Sequence, residues 1–126
     1  MKLGTLADPR FKGSFARLQT APLSLKTAFK LRSIEKVITK ELATYEETRQ
    51  AALNKYGKKN EDGTLLTLGV HKNVQFEEGM FEKFVEELSE LNAVEVALEK
   101  VTAAELGDNV KLSADDLALL EDLIEL

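Results

Sequence analysis

Between Ser24 and Tyr56 the chain contains neither Gly nor Pro, and Leu31, Ile34, Ile38, Leu42, Tyr45, Ala52 and Tyr56 recur with a helical period. At about 100° per residue these side chains fall within an arc of roughly 80°. The spacing predicts one helix over 24–57, roughly 50 Å long. Lys26, Lys30, Lys36 and Lys40 lie on the other side of that helix, with Arg32 at the edge of the strip. Leu25, Phe29 and Val37 also stand off the main stripe, on the lysine-bearing side. A helix that is apolar on two sides needs two neighbours. A short Phe11/Phe15 helix is one candidate and a separate chain is the other. Arg49 is the odd polar residue on the stripe; a snorkelling side chain is the preferred reading, ahead of an intrachain or intersubunit salt bridge to a carboxylate of the C-terminal half.

The flanking pattern is more broken. Residues 1–22 read as a lead with edge-strand character over Met1–Leu6, then a helix opened by Asp8-Pro9 and carried by Phe11, Phe15 and Leu18. Ser24 caps the long helix and Gly57 ends it. Asn60-Glu61-Asp62-Gly63 is a turn. Residues 64–76 then read as a hairpin, Thr64–Leu68 and Asn73–Phe76, around Gly69-Val70-His71-Lys72. Phe81, Phe84, Val85, Leu88 and Leu91 predict a helix over 78–92. Alternation of Val94, Val96 and Leu98 with Glu95, Ala97 and Glu99 predicts a half-buried strand over 93–101. Residues 104–112 read as a loop with a turn at Gly107-Asp108-Asn109. Ser113 opens a last helix over 113–126, with Asp116 completing a weak capping box. Leu117, Leu120 and Ile124 form one face of that helix, and Leu119, Leu123 and Leu126 a second. The expected product is a single α+β domain, 1–126. A long amphipathic helix and shorter helices pack on a small antiparallel sheet of two or three strands, too small to stand without helical cover.

Composition sharpens this in two respects. The apolar fraction is 44%, Trp is absent and aromatics are only 6%, so the core must be aliphatic with Phe anchors. No cysteine is present, which removes disulfides, thiol catalysis and thiolate metal sites and fits a reducing compartment. No stretch reaches signal-peptide or membrane-span length, so a soluble protein without membrane partners is expected.

Charge changes the picture more. Residues 1–40 hold nine Lys/Arg against Asp8 and Glu35, a net +7, while residues 41–126 hold eight basic and twenty acidic residues, a net −12. The overall −5 hides this segregation, which is a statement about partners and association rather than fold.

Few residues could carry chemistry. His71, the single histidine, sits at a hairpin tip beside Lys72, where solvent exposure outranks a catalytic or metal role. With no Cys and one His, only carboxylate metal sites remain. Asn60-Glu61-Asp62-Gly63-Thr64 lacks the closing glutamate of a calcium loop. The neighbours Glu86-Glu87 and Asp115-Asp116 point about 100° apart and read as solvated faces. No glycine loop suited to phosphate is present. The expectation is no enzyme, no cofactor and no metal.

The candidate interface is Lys26, Lys30, Arg32, Lys36 and Lys40 with Phe29 and Val37. A plain solvated face competes with an acidic protein partner there. Nucleic acid, through residues 1–40, ranks below a protein because the rest of the chain is acidic and no aromatic stacking platform is present.

Leu23-Ser-Leu-Lys-Thr-Ala-Phe-Lys-Leu31, Tyr45-Glu-Glu-Thr-Arg49, Leu53-Asn-Lys-Tyr-Gly57, Asn60-Glu-Asp-Gly63 and Leu106-Gly-Asp-Asn-Val-Lys-Leu112 together resemble a family of small tailed-phage proteins of unassigned function. The resemblance covers most of residues 20–126 and leaves the first twenty unmatched. It implies a protein made in the bacterial host cytoplasm, acting during infection or built into the virion, and it carries over no catalytic residue. The leading expectation is a non-enzymatic phage structural or assembly protein that self-associates or docks on other phage proteins, an oligomer rather than a monomer. An inhibitor or adaptor binding a host protein is the alternative, and nucleic-acid binding through the basic third is weaker.

Overall fold

The computed structural model describes residues 1–125, with Asn109 described by its backbone only. Six α-helices and two pairs of very short strands follow in order among these residues. They are α1 (Leu3–Ala7), α2 (Pro9–Gln19), α3 (Leu25–Tyr56), β1 (Thr67–Leu68), β2 (Asn73–Val74), α4 (Met80–Asn92), β3 (Val101–Thr102), α5 (Ala103–Leu106), α6 (Ala114–Leu120) and β4 (Ile124–Glu125). The protein is α+β and built on one long helix.

α3 runs for 32 residues without a break. Ser24 caps it as its spacing predicts, its hydroxyl accepting the Thr27 N–H at 3.2 Å. Asp8 caps α2 by accepting the Arg10 N–H at 2.9 Å, with Pro9 in the first turn where its missing N–H costs nothing. The core gathers on the N-terminal half of α3. Leu31, Ile34 and Ile38 pack there with Leu3 and Leu6 of α1, Phe11, Phe15 and Leu18 of α2, and Val96, Val101, Leu106, Leu120, Leu123 and Ile124. α4 lies antiparallel along the C-terminal half of α3. The Tyr45 hydroxyl donates to Asn92 at 2.9 Å and the Tyr56 hydroxyl donates to Glu87 at 2.8 Å.

Gly57 ends α3, but with φ −70° rather than a left-handed cap. Its requirement is space: a Cβ there would sit 2.6 Å from the Leu53 carbonyl oxygen and 2.6 Å from a Leu65 methyl. The segment after it folds back, so that Lys58 N–H donates to Gln75 O and Leu66 N–H donates to Lys58 O, each at 2.7 Å. The hairpin loop is Gly69–Lys72 as its sequence predicts, with Thr67 opposite Val74 and Leu68 opposite Asn73.

Four expectations need correction. Met1–Leu6 is not a strand: only Lys2 bridges to Glu95, and the chain winds into α1 from Leu3. That short partner is why residues 93–100 form no ladder beyond one bridge. Val96 is buried as the alternation requires but Val94 is exposed, and of the expected strand only Val101 joins a ladder. Residues 104–112 are not all loop. Thr102 and Glu105 form a full capping box that starts α5, and the turn expected at Gly107–Asn109 follows as one 3-10 turn. The last helix stops at Leu120; the chain then turns, and β4 pairs in parallel with β3, Val101 opposite Ile124. The small sheet is thus divided into an antiparallel pair and a parallel pair. Leu126, assigned to the second helical face, lies outside the described residues.

Candidate interaction surface

α3 turns the face opposite Leu31, Ile34 and Ile38 to solvent. Leu25 is 91% exposed, Phe29 73% and Val37 42%. Lys26, Arg32, Lys36 and Lys40 are exposed beside them, and among the described residues none of the four forms an ion pair. The helix geometry explains the arrangement: Leu25, Phe29, Arg32, Lys36 and Lys40 follow one another at three- and four-residue steps, on the side away from the core.

Lys30 leaves this set. It lies on the shoulder of α3, and its ammonium donates to Glu105 at 3.0 Å, with Glu99 at 4.0 Å. Glu105 is held below its ordinary range first by the Thr102 backbone N–H and then by Lys30. Lys30 therefore clamps α5 to α3 within the chain rather than offering a free charge. Glu35 interrupts the basic face on its other flank, where the Gln19 amide donates to its carboxylate. Arg49 pairs with Glu46, one turn away on its own helix, at 2.6 Å. Its stem is half-buried and its head is held at the surface by Glu46, and among the described residues it makes no bridge to a carboxylate beyond α3.

A second exposed face lies on α4, and the sequence periodicity hid it. Phe81, Phe84, Val85, Leu88 and Leu91 look like one apolar set, yet Phe84 is 8% exposed while Phe81 is 53% and Val85 44% exposed. Phe84 turns inward beside Phe76, ring centroids 5.5 Å apart. Phe81 meets the same ring edge-on at 5.4 Å and stays half exposed, and Val85, about 100° further round from Phe84, cannot follow it. Phe81, Glu82, Val85, Glu86, Ser89 and Glu90 line a shallow open groove on that outer face. The wide arc spanned by the five apolar residues was the available signal.

The carboxylate neighbours separate as helix geometry requires. Glu87 faces α3, while Glu86 faces solvent. Asp115 is exposed, but Asp116 is buried, against the expectation of a solvated pair. It caps α6 and accepts the Ser14 hydroxyl at 2.6 Å, and Arg17 lies 3.4 Å away. The chain matches no family model, no curated protein and no solved structure. His71 is exposed at the hairpin tip. Among the described residues no three His, Asp or Glu side chains gather in a way that could hold a metal ion. No helix among them is long and apolar enough to cross a membrane.

Proposed function

We propose that this is a non-enzymatic assembly protein that associates with copies of itself through the outer face of α3. One observation carries the reading: Leu25, Phe29 and Val37 are exposed in the same strip as Lys26, Arg32, Lys36 and Lys40, which have no ion-pair partner within the described chain. Exposed apolar groups rimmed by charge are the make-up of a protein-contact surface. The net −12 of residues 41–126 supplies the opposite sign on a second copy. The resemblance of residues 20–126 to small tailed-phage proteins supports a setting in an infected bacterial cytoplasm or in the virion. Mass spectrometry of purified particles distinguishes those locations.

Light scattering on the eluting protein at low and high salt tests the association itself. An oligomer that weakens, without being abolished, as salt is raised is expected, because exposed charges are screened beyond about 10 Å at 0.1 M while apolar contacts are not. Phe29→Ser should shift the same equilibrium towards monomer. A monomer at every salt and protein concentration overturns the reading.

A further inference from the structure

Arg32, Lys36 and Lys40 stand at i, i+4 and i+8 along α3; Glu82, Glu86 and Glu90 stand at i, i+4 and i+8 along α4. All six are exposed, and none forms an ion pair among the described residues. Each row has a pitch of about 6 Å and a span of about 12 Å. Each is accompanied by exposed apolar side chains, Phe29 and Val37 on α3 and Phe81 and Val85 on α4.

The rows cannot meet within one chain. α3 and α4 already pack through their other faces, held by the bonds from Tyr45 to Asn92 and from Tyr56 to Glu87. Both rows point away from that contact. We propose that the α4 row of one copy docks on the α3 row of a second copy, three carboxylates against three cations of matching pitch. This rests on the self-association proposed above and names the surface that the α3 face receives. Two i±4 ridges run side by side when their helices cross at about −50°. The apolar side chains supply most of the affinity, because exposed ion pairs contribute little individually; the charges set register and favour this pairing over like against like. Each copy presents one face of each kind, so a two-fold dimer pairs both rows at once, whereas a head-to-tail contact closes a ring or extends a filament.

Two charge-reversed variants test the pairing by light scattering and native mass spectrometry: Lys36→Glu with Lys40→Glu, and Glu82→Lys with Glu86→Lys. Each alone should associate at least tenfold more weakly than the parent. Mixed, they should associate again, since the unchanged α4 row of one meets the unchanged α3 row of the other and the two reversed rows are complementary as well. A chain carrying all four changes should self-associate again with the signs exchanged, which also shows that the reversals leave the fold intact. If the Glu82/Glu86 variant associates as well as the parent while the Lys36/Lys40 variant does not, the α4 assignment is overturned and self-association through α3 stands. An equimolar mixture of the two variants that stays monomeric overturns the assignment too. A parent protein that is always monomeric overturns both proposals.

Discussion

The Ser14 hydroxyl donates to Asp116 Oδ1 at 2.6 Å, tying α2 to the first turn of α6 across 102 positions of chain. Ser14 and Asp116 are both buried, 2% and 4% exposed. The second carboxylate oxygen accepts the Ser113 N–H at 3.1 Å, so the same side chain completes the α6 cap and locks that helix to α2. Ser14→Ala leaves one oxygen of a buried carboxylate short of a donor. Hydrogen bonds to charged groups contribute about 1.5–3 kcal/mol, and a loss of that size in urea unfolding is expected. An unchanged midpoint would show that water replaces the hydroxyl without cost.

Two glycines in neighbouring helices should respond with opposite sign. At Gly13 of α2 an added methyl meets only Arg17, at 3.6 Å, and Gly13→Ala should stabilise by about 0.4–1 kcal/mol through the unfolded chain. At Gly4 of α1 the methyl would sit 2.8 Å from Asn92 Cβ. The helix-propensity gain of about 1 kcal/mol is then set against about 1–3 kcal/mol of overpacking. Asn92 is also held by Tyr45, so it cannot yield freely. Gly4→Ala should lower the thermal midpoint and Gly13→Ala raise it; a rise in both would show that α1 can move off α4.

Acid should unfold the protein through carboxylates held low in the native state. Glu46 is pushed down to about 2 by its hydrogen bonds from Arg49 and then Gln50. Asp116 is lowered, first by the Ser14 hydroxyl and then by the Ser113 N–H, from an ordinary 3.8. Glu105 is lowered from an ordinary 4.5. A carboxyl that ionises more readily when folded adds stability above its unfolded value and loses it as pH falls towards its folded value. Urea midpoints should therefore be level above about pH 5 and decline from about pH 4.5 towards pH 2, and Ser14→Ala should flatten that decline. Midpoints that stay level to about pH 2.5 contradict it.

Leu117 and Leu123 separate the observed C-terminus from a simple terminal helix. Leu123 is fully buried in the turn before β4, and its carbonyl accepts the Val101 N–H at 2.8 Å. Leu117 is 46% exposed on α6. Leu123→Ala should cost about 2–5 kcal/mol, whereas Leu117→Ala should stay near the surface range of about 0.5 kcal/mol. Equal costs in chemical denaturation would return Leu117 to the core and reject the turn.

Local patterning determined the parts of this protein whose stability is local. The uninterrupted period from Leu31 to Tyr56, the Ser24 cap and the hairpin loop at Gly69–Lys72 were legible because helix period, capping and turn chemistry act within a few residues. The basic strip was legible too, except for Lys30. Only the tertiary structure decided its pairing with Glu105, 75 positions away, along with the burial of Asp116 and the parallel pairing of Val101 with Ile124. Each of those depends on which surfaces meet once α3 is covered, and neighbouring residues along the chain carry no record of that. The same holds for α4: its five apolar residues share one period, but α3 and Phe76 cover only part of the arc they span, leaving Val85 outside and Phe81 half exposed at the edge of the Phe76 ring.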